Sequence, residues 1–226
     1  MLALQRQSMI LRKVEEQGSV RTSDLAEELD VTVETIRRDL ETLAVLGKVV
    51  RTHGGAMSER HPARDVPFKE RSVIRIKEKR AISETAVQSI EERDMVFFDA
   101  SSTALQVAMR VPNLELTVVT NAHDVISQVC DKPKIKVMGT GGLFDATSRS
   151  YVGPTVVQML RRYHIAKAFI GCNGVHPDRG VSELTETQAT IKEQVVEMAE
   201  RVFVLADASK IGKCSSYFFS PLDRVT

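Results

Sequence analysis

From Met95 to Asp207 the chain alternates short apolar runs with amphipathic ones, and this alternation restricts its fold more than any other feature. The runs 95–99 (MVFFD), 116–120 (LTVVT), 135–139 (IKVMG), 166–171 (AKAFIG) and 202–207 (VFVLAD) are rich in β-branched and aromatic residues, as strands are. Between them, 103–110, 122–130, 154–163 and 186–201 read as helices. Apolar strands that alternate with helices predict an α/β domain whose mostly parallel sheet is covered on both faces. Neither a short internal repeat nor a low-complexity tract interrupts the pattern.

The first sixty residues follow a different rule. Residues 3–17 carry Leu4, Ile10, Leu11 and Val14 at helical spacing. Ser19-Val20-Arg21 is an extended link, and Thr22-Ser23-Asp24 opens a second short helix with Leu25, Ala26 and Leu29. A turn at Asp30-Val31 leads to VTVETIRRDLETLAVLG, where Val33, Ile36, Leu40 and Leu43 form an apolar stripe. Thr32 is placed to cap the helix start and Gly47 to close its end. Opposite the stripe stands Arg38, flanked by Glu34, Thr35 and Thr42, with Arg37 and Glu41 at the border. Two short helices joined by a tight turn form a helix-turn-helix, whose second helix reads base edges in the DNA major groove. Lys48–Thr52 then reads as a strand and His53-Gly54-Gly55 as a turn. A hairpin directly behind a reading helix is a wing, and it places Lys48, Arg51 and His53 near phosphates or the minor groove. A solvated amphipathic helix followed by an ordinary turn would show many of the same residues.

The 226 residues are enough for a small domain and a larger one, and the 42% hydrophobic and 27% charged content is ordinary for a globular protein. Net charge is +1, so any nucleic-acid binding rests on local charge. Arg37, Arg38, Lys48, Arg51 and His53 supply a modest basic stripe on an N-terminal region that is otherwise slightly acidic. Cys130, Cys172 and Cys214 are far apart and the histidines scattered, which disfavours a disulfide framework or a metal site. No signal peptide or membrane span is read, so the expected location is the cytoplasm. Residues 58–72, polar and with two prolines, read as a linker. A long helix is expected from Ser72, and the basic charge of 61–80 is read as the solvated face of a connecting helix.

In open α/β sheets, ligands sit where strands give way to helices. Phe98-Asp99-Ala100-Ser101-Ser102-Thr103 puts an acid and three hydroxyls at a helix start, where N–H groups favour an anion such as phosphate. Val119-Thr120-Asn121 adds a hydroxyl and an amide. Gly139-Thr140-Gly141-Gly142 permits close backbone approach. Ala206-Asp207-Ala208-Ser209-Lys210 contributes an acid and an ammonium group. Each alone is compatible with a helix cap, but four such ends on one edge point to a polar site. No Walker motif and no GxGxxG with its acidic partner is present, so no nucleotide cofactor is expected.

The segment LDVTVETIRRDLETLAVLGKVVRTHGGA resembles the DNA-binding region of the DeoR family of bacterial sugar-metabolism repressors, with Thr35–Leu40 and Arg51–Ala56 the close matches. The resemblance continues to about residue 220. It implies a winged helix-turn-helix domain (1–57), a linker (58–72) and a sugar-phosphate-sensing domain (73–226) with a Rossmann-like fold similar to ribose-phosphate isomerases and glucosamine-phosphate deaminases. The family's Asp-x-Gly-Thr-Thr corresponds to Asp99, Ser101, Ser102 and Thr103, with serine replacing glycine. Its Thr-Asn matches Thr120 and Asn121, and its double glycine Gly141 and Gly142. A later glycine pair matches Gly171 and Gly174. Its Glu-Ala and following basic residue match Gln188, Ala189 and Lys192, so a carboxylate is replaced by an amide. Its Asp-x-Ser-Lys matches Asp207, Ser209 and Lys210. Lys167 stands where relatives usually carry an acid. Relatives also continue past the position of Thr226 with another strand and helix, which implies a sheet edge that is incomplete or closed by other means.

The implied function is a transcriptional repressor of a carbohydrate-utilisation operon, bound to double-stranded DNA as a homo-oligomer and controlled by a phosphorylated sugar. Thr32, Glu34, Thr35, Arg37, Arg38, Lys48, Arg51 and His53 would meet DNA. Asp99, Ser101, Ser102, Thr103, Thr120, Asn121, Gly141, Gly142, Gln188, Lys192, Asp207 and Lys210 would meet the effector. The competing reading is an enzyme that retains isomerase or deaminase chemistry, with Asp99 or Asp207 as its base. Redox sensing through Cys172 or Cys214 lacks a basic pair or partner thiol.

Overall fold

The computed structural model describes residues 3–17, 19–52, 54–57 and 66–226. The chain divides into two compact units, Met1–Arg64 and Asp65–Thr226.

The first unit contains α1 (Ala3–Gln17), β1 (Ser19–Arg21), α2 (Thr22–Glu28), α3 (Val33–Val45), β2 (Val50–Thr52) and β3 (Gly55–Met57). The three strands form an antiparallel sheet in the order β1-β3-β2. Ile10, Val14, Leu25, Ile36, Leu40, Leu43 and Val49 pack into one core under the helices. Val33 departs from the expected stripe: it is the first residue of α3 and is 41% exposed. Asp39 is buried on the inner face with Ile36, Leu40 and Leu43. The helix ends as the sequence reading expects. The Thr32 hydroxyl accepts from Thr35 N–H at 3.2 Å. Gly47, at φ +66°, and Lys48 donate to Ala44 O and Leu43 O, both at 2.9 Å, as in a Schellman closure. That closure takes up Lys48, so the wing strand begins at Val50 rather than Lys48. Gly55 is obligatory where β3 crosses β1, because a Cβ there would lie 1.8 Å from Val20 O.

In the second unit, α4 (Phe68–Arg71) and α5 (Ile76–Ala86) precede a parallel sheet of β4 (Met95–Phe98), β5 (Leu116–Thr120), β6 (Ile135–Gly139), β9 (Ile165–Gly171) and β12 (Ala199–Leu205). The helices α6 (Ser102–Arg110), α7 (His123–Val129), α8 (Pro154–Leu160) and α9 (Glu186–Met198) lie between them in sequence. Two antiparallel additions were not foreseen: a hairpin of β7 (Leu143–Asp145) and β8 (Ser150–Val152), and a small sheet of β10 (Gly174–His176), β11 (Gly180–Glu183) and β13 (Tyr217–Ser220).

The large sheet runs β12-β9-β4-β5-β6, all parallel. In order of appearance the strands lie 3-2-1-4-5, so the winding reverses between β4 and β9, the place where such sheets open a ligand crevice. Alternate residues feed two cores. Phe98 and Phe169 face one side, where Phe169 stacks between Phe98 and Phe203 at ring distances of 5.3 and 5.0 Å. Phe97, Ala168 and Ile170 face the other, against α8 and α9.

Residues 66–72, read from sequence as linker, belong to this unit. Phe68 is buried, its N–H bonds Thr147 O at 2.8 Å, and α4 lies on the loop of the β7–β8 hairpin. The helix expected from Ser72 begins at Ile76, after Arg75 adopts a left-handed φ of 49°. At the far edge, Thr226 bonds β12 on both sides, through Val202 O at 2.6 Å and Val204 N at 3.1 Å.

Candidate DNA-reading surface and effector site

The sequence of α3 sends its polar side chains to solvent. Arg38 is 82% exposed, and Glu34 lies 3.6 Å from each of Arg37 and Arg38 in exposed ion pairs. These pairs are weak and leave the guanidinium groups available to base edges or phosphates. Thr35 is half-buried, its hydroxyl 2.9 Å from that of Thr32. Lys48 is exposed, whereas Arg51 is half-buried and reaches back to Gly55 O at 3.4 Å. His53 lies outside the described residues. The arrangement is an open comb of donors and acceptors on one short helix, with a two-stranded wing behind it.

In the second unit the strand ends come together unequally. Asp99, buried at the end of β4, accepts from Ser101 N–H and Gly171 N–H, both at 3.0 Å. Ser101 caps α6 by accepting from Ala104 N–H at 3.0 Å. Its Cβ sits where a side chain at residue 171 would be, 2.4 Å from the built position, so the serine at 101 is accommodated by Gly171. Ser102 and Thr103 are buried in the first turn of α6. Lys192, buried on α9, pairs with Glu183 and lies 3.3 Å from Asp99, and it donates to Gly171 O at 2.9 Å. Burial alone would lower its pKa; Glu183 and Asp99 overcome this and raise it. A charged knot thus sits at the winding reversal.

Other expected contacts are turned inward. The Thr120 hydroxyl donates to Phe98 O at 2.6 Å and accepts from Ala122 N–H at 3.0 Å, so it fastens β5 to β4. Asn121 is fully buried and donates to Tyr151 O at 3.1 Å, while its Oδ1 lacks a hydrogen-bond partner among the described residues. Gln188 donates to Ser150 Oγ at 2.9 Å and Ser148 Oγ at 3.3 Å. Ser148 in turn bonds Asp145. This amide–hydroxyl network shows how Gln188 is housed in place of a carboxylate. Gly141 and Gly142, at φ +63° and +113°, form an exposed turn. Gly142 needs both its φ and its size, since a Cβ would meet Val152 O at 2.9 Å.

The sequence reading missed two cations. Lys79, buried on α5, donates to Arg71 O at 2.5 Å and has no carboxylate within ion-pair distance among the described residues. Burial first, then Arg71 and Lys210, push its pKa down to about 8, against the opposing pull of Asp207 and Glu78. Arg71 Nε is buried without a hydrogen-bond partner among the described residues. Asp207 is the acid of this group. Burial raises its pKa, but the Ser209 hydroxyl and N–H, with Lys210 and Arg75, outweigh that and hold it below the usual carboxylate range. Arg71, Lys79 and Lys210 therefore gather at the carboxyl edge of the sheet with more positive than negative charge. A phosphate is the complement of such a cluster.

Burial pushes the Cys172 thiol up to about 12, which keeps it protonated and unreactive. Among the described residues no group of three potential metal ligands occurs, and no helix is long and apolar enough to cross a membrane.

A winged helix-turn-helix joined to a Rossmann-like sheet with a polar carboxyl edge defines the class of two-domain transcriptional regulators. Within it, the chain belongs to the DeoR family: residues 6–61 match the DeoR-like helix-turn-helix domain and 74–226 the DeoR C terminal sensor domain. The uncharacterised HTH-type transcriptional regulator YulB of Bacillus subtilis (strain 168) is 37% identical over 94% of this chain and 82% of its own length. The L-fucose operon activator of Haemophilus influenzae is 34% identical over 97% of this chain and 88% of its own. Ribose 5-phosphate isomerase A from Methanocaldococcus jannaschii superposes with a TM-score of 0.45 at 16% identity, over 60% of this chain and 54% of that one. A likeness that low carries no functional weight.

Proposed function

We propose that this regulator represses a carbohydrate-utilisation operon in the cytoplasm and releases its DNA when a phosphorylated sugar binds the sensing unit. Glu34, Thr35 and Arg38 read bases; Thr32, Arg37, Lys48, Arg51 and His53 hold phosphates or set the helix in the groove. A helix-turn-helix reads paired half-sites, so the acting form is a homo-oligomer. The sugar phosphate takes its anionic end to Lys210, Lys79 and Arg71 and to the first turn of α6, with Gln188 and its serines on the sugar side. Release requires that the sugar bind the DNA-free form more tightly than the DNA-bound one.

The observation that carries this reading is Lys79, a buried ammonium group that lacks a carboxylate partner among the described residues. The geometry favours sensing over turnover. Asp99 is held by two N–H groups and Lys192, Asp207 is tied to Ser209, and residue 188 is an amide, so each candidate base is already engaged. The L-fucose operon relative supports a sugar as the signal, although its name describes activation.

The test is a thermal-shift series with phosphorylated sugars, their unphosphorylated counterparts and inorganic phosphate. A phosphorylated sugar at 100 times its Kd should stabilise the protein by about 2.7 kcal/mol. Lys79→Met should erase that gain without lowering the stability of the ligand-free protein. Stabilisation by unphosphorylated sugars alone, or a full response in Lys79→Met, would displace the phosphate from this site.

A further inference from the structure

Asp39 follows the outward-facing Arg38 on α3, yet its carboxylate is buried against α1. It accepts from Arg6 Nε at 2.5 Å and from Gln7 Nε2 at 3.0 Å. The Arg6 side chain is itself largely covered, so its positive charge is spent inside the unit rather than offered to DNA. Ile36, Leu40 and Leu43 of α3 share one apolar core with Ile10, Val14 and Leu25. Apolar contact is non-directional and resists a small roll of a helix only through the cost of repacking, whereas a hydrogen-bonded ion pair also fixes direction. A roll of about 20° would carry a side chain at the ~5–6 Å helix radius through about 2 Å, more than a hydrogen bond to a base edge tolerates. A carboxylate that must meet two donors on successive residues of another helix admits far less roll.

We propose that Asp39, held by Arg6 and Gln7, is a positioning residue that sets the rotation of α3 and so the register in which Glu34, Thr35 and Arg38 meet base pairs. This rests on the reading of α3 as the base-contacting helix. Asp39 touches no DNA in this account; it acts through its neighbours on the opposite face. Loss of the clamp therefore lowers discrimination between sequences, while contacts to the phosphate backbone, which carry no sequence information, persist.

The experiment uses the full chain. A duplex is selected from a randomised double-stranded pool by the unaltered protein, and its Kd is compared with that of a scrambled duplex of equal length and composition at fixed salt. For Asp39→Asn the ratio of the two affinities should fall about tenfold, the scale of a lost base contact. Affinity for the scrambled duplex and its salt dependence should stay unchanged. Gln7→Leu leaves the Arg6 pair in place and should lower the ratio in the same direction. It carries the test if Asp39→Asn does not fold, as judged by circular dichroism. An unchanged ratio, or a parallel loss of affinity for both duplexes in folded protein, overturns the proposal. Arg38→Ala, run alongside, separates the two levels. If it loses operator preference while the clamp variants keep it, the positioning role alone is wrong. If it too keeps preference, the reading of α3 and the inference fall together.

Discussion

The two edges of the parallel sheet both bury lysines, and they neutralise them differently. At the amino edge, Lys167 on β9 meets Asp94 at 2.8 Å and Glu91 at 3.2 Å. Burial would lower its pKa, but the two acids raise it. At the carboxyl edge, Lys192 is answered by Asp99 and Glu183, whereas Lys79 donates to the Arg71 carbonyl and has no carboxylate within ion-pair distance among the described residues. The pull of Asp207 and Glu78 does not offset burial, Arg71 and Lys210. One edge is charge-complete. The other keeps a positive surplus, which costs stability and which the proposed phosphate would offset. A buried charge with its partners in place describes architecture; Lys79, without a carboxylate partner among the described residues, is where the proposed phosphate would complete the set.

Lys192→Met challenges the contrast most severely. It would leave Asp99 and Glu183 buried without a counter-ion, and breaking a buried pair in this way costs about 3–5 kcal/mol. Urea denaturation should show a loss of that size, and a loss below about 1 kcal/mol would mean that the knot contributes little.

Next is the pH response of Lys79. Its folded pKa, about 8, lies below its ordinary 10.5, so between those values the unfolded chain holds more protons and stability rises with pH. The rise in the empty protein should amount to about 2–3 kcal/mol, read from melts at pH 8 and pH 10.5, and should vanish in Lys79→Met. Arg71, Lys210, Asp207 and Glu78 surround the group, and a bound phosphate would oppose its deprotonation. Phosphate-dependent stabilisation should therefore weaken as pH climbs through about 8.

The smallest effect belongs to Lys167→Met. Glu91 is exposed and turns to water, and Asp94 keeps its bond from Glu91 N–H at 2.8 Å. The loss should be about 1 kcal/mol, with the response to phosphorylated sugars intact. A lost sugar response would mean that the two edges are coupled.

The order of helices and strands was legible because each element carries its own period: the five apolar runs became the five parallel strands, and Thr32 and Gly47 bound α3 as their chemistry requires. Asp99 and Ser101 could be placed at a strand end by the same logic. What stayed hidden depends on partners distant in sequence. Arg71 lies at the end of a stretch that reads as a linker and Lys79 on a helix whose basic charge reads as a solvated face; the burial of Phe68 and Lys79 shows that both segments pack into the sensing unit. Asp39 goes unremarked in the sequence because its partner Arg6 lies 33 positions earlier. Thr120 looked like a ligand contact because a hydroxyl at a strand end looks the same whether it faces a visitor or the next strand. The small antiparallel strands, three or four residues long, are too brief to show a period. Lys167, puzzling in the sequence, is explained by two acids at the base of β4.

The ammonium group of Lys192 draws its oxygen partners from three directions: the loop after β4, the end of β9 and the end of β11. Withdrawal of any one leaves the other two to share its charge. The little β10–β11–β13 sheet is thereby tethered electrically to the loop beside the first turn of α6. The loop after β4 and the end of β11 therefore share a single counter-ion.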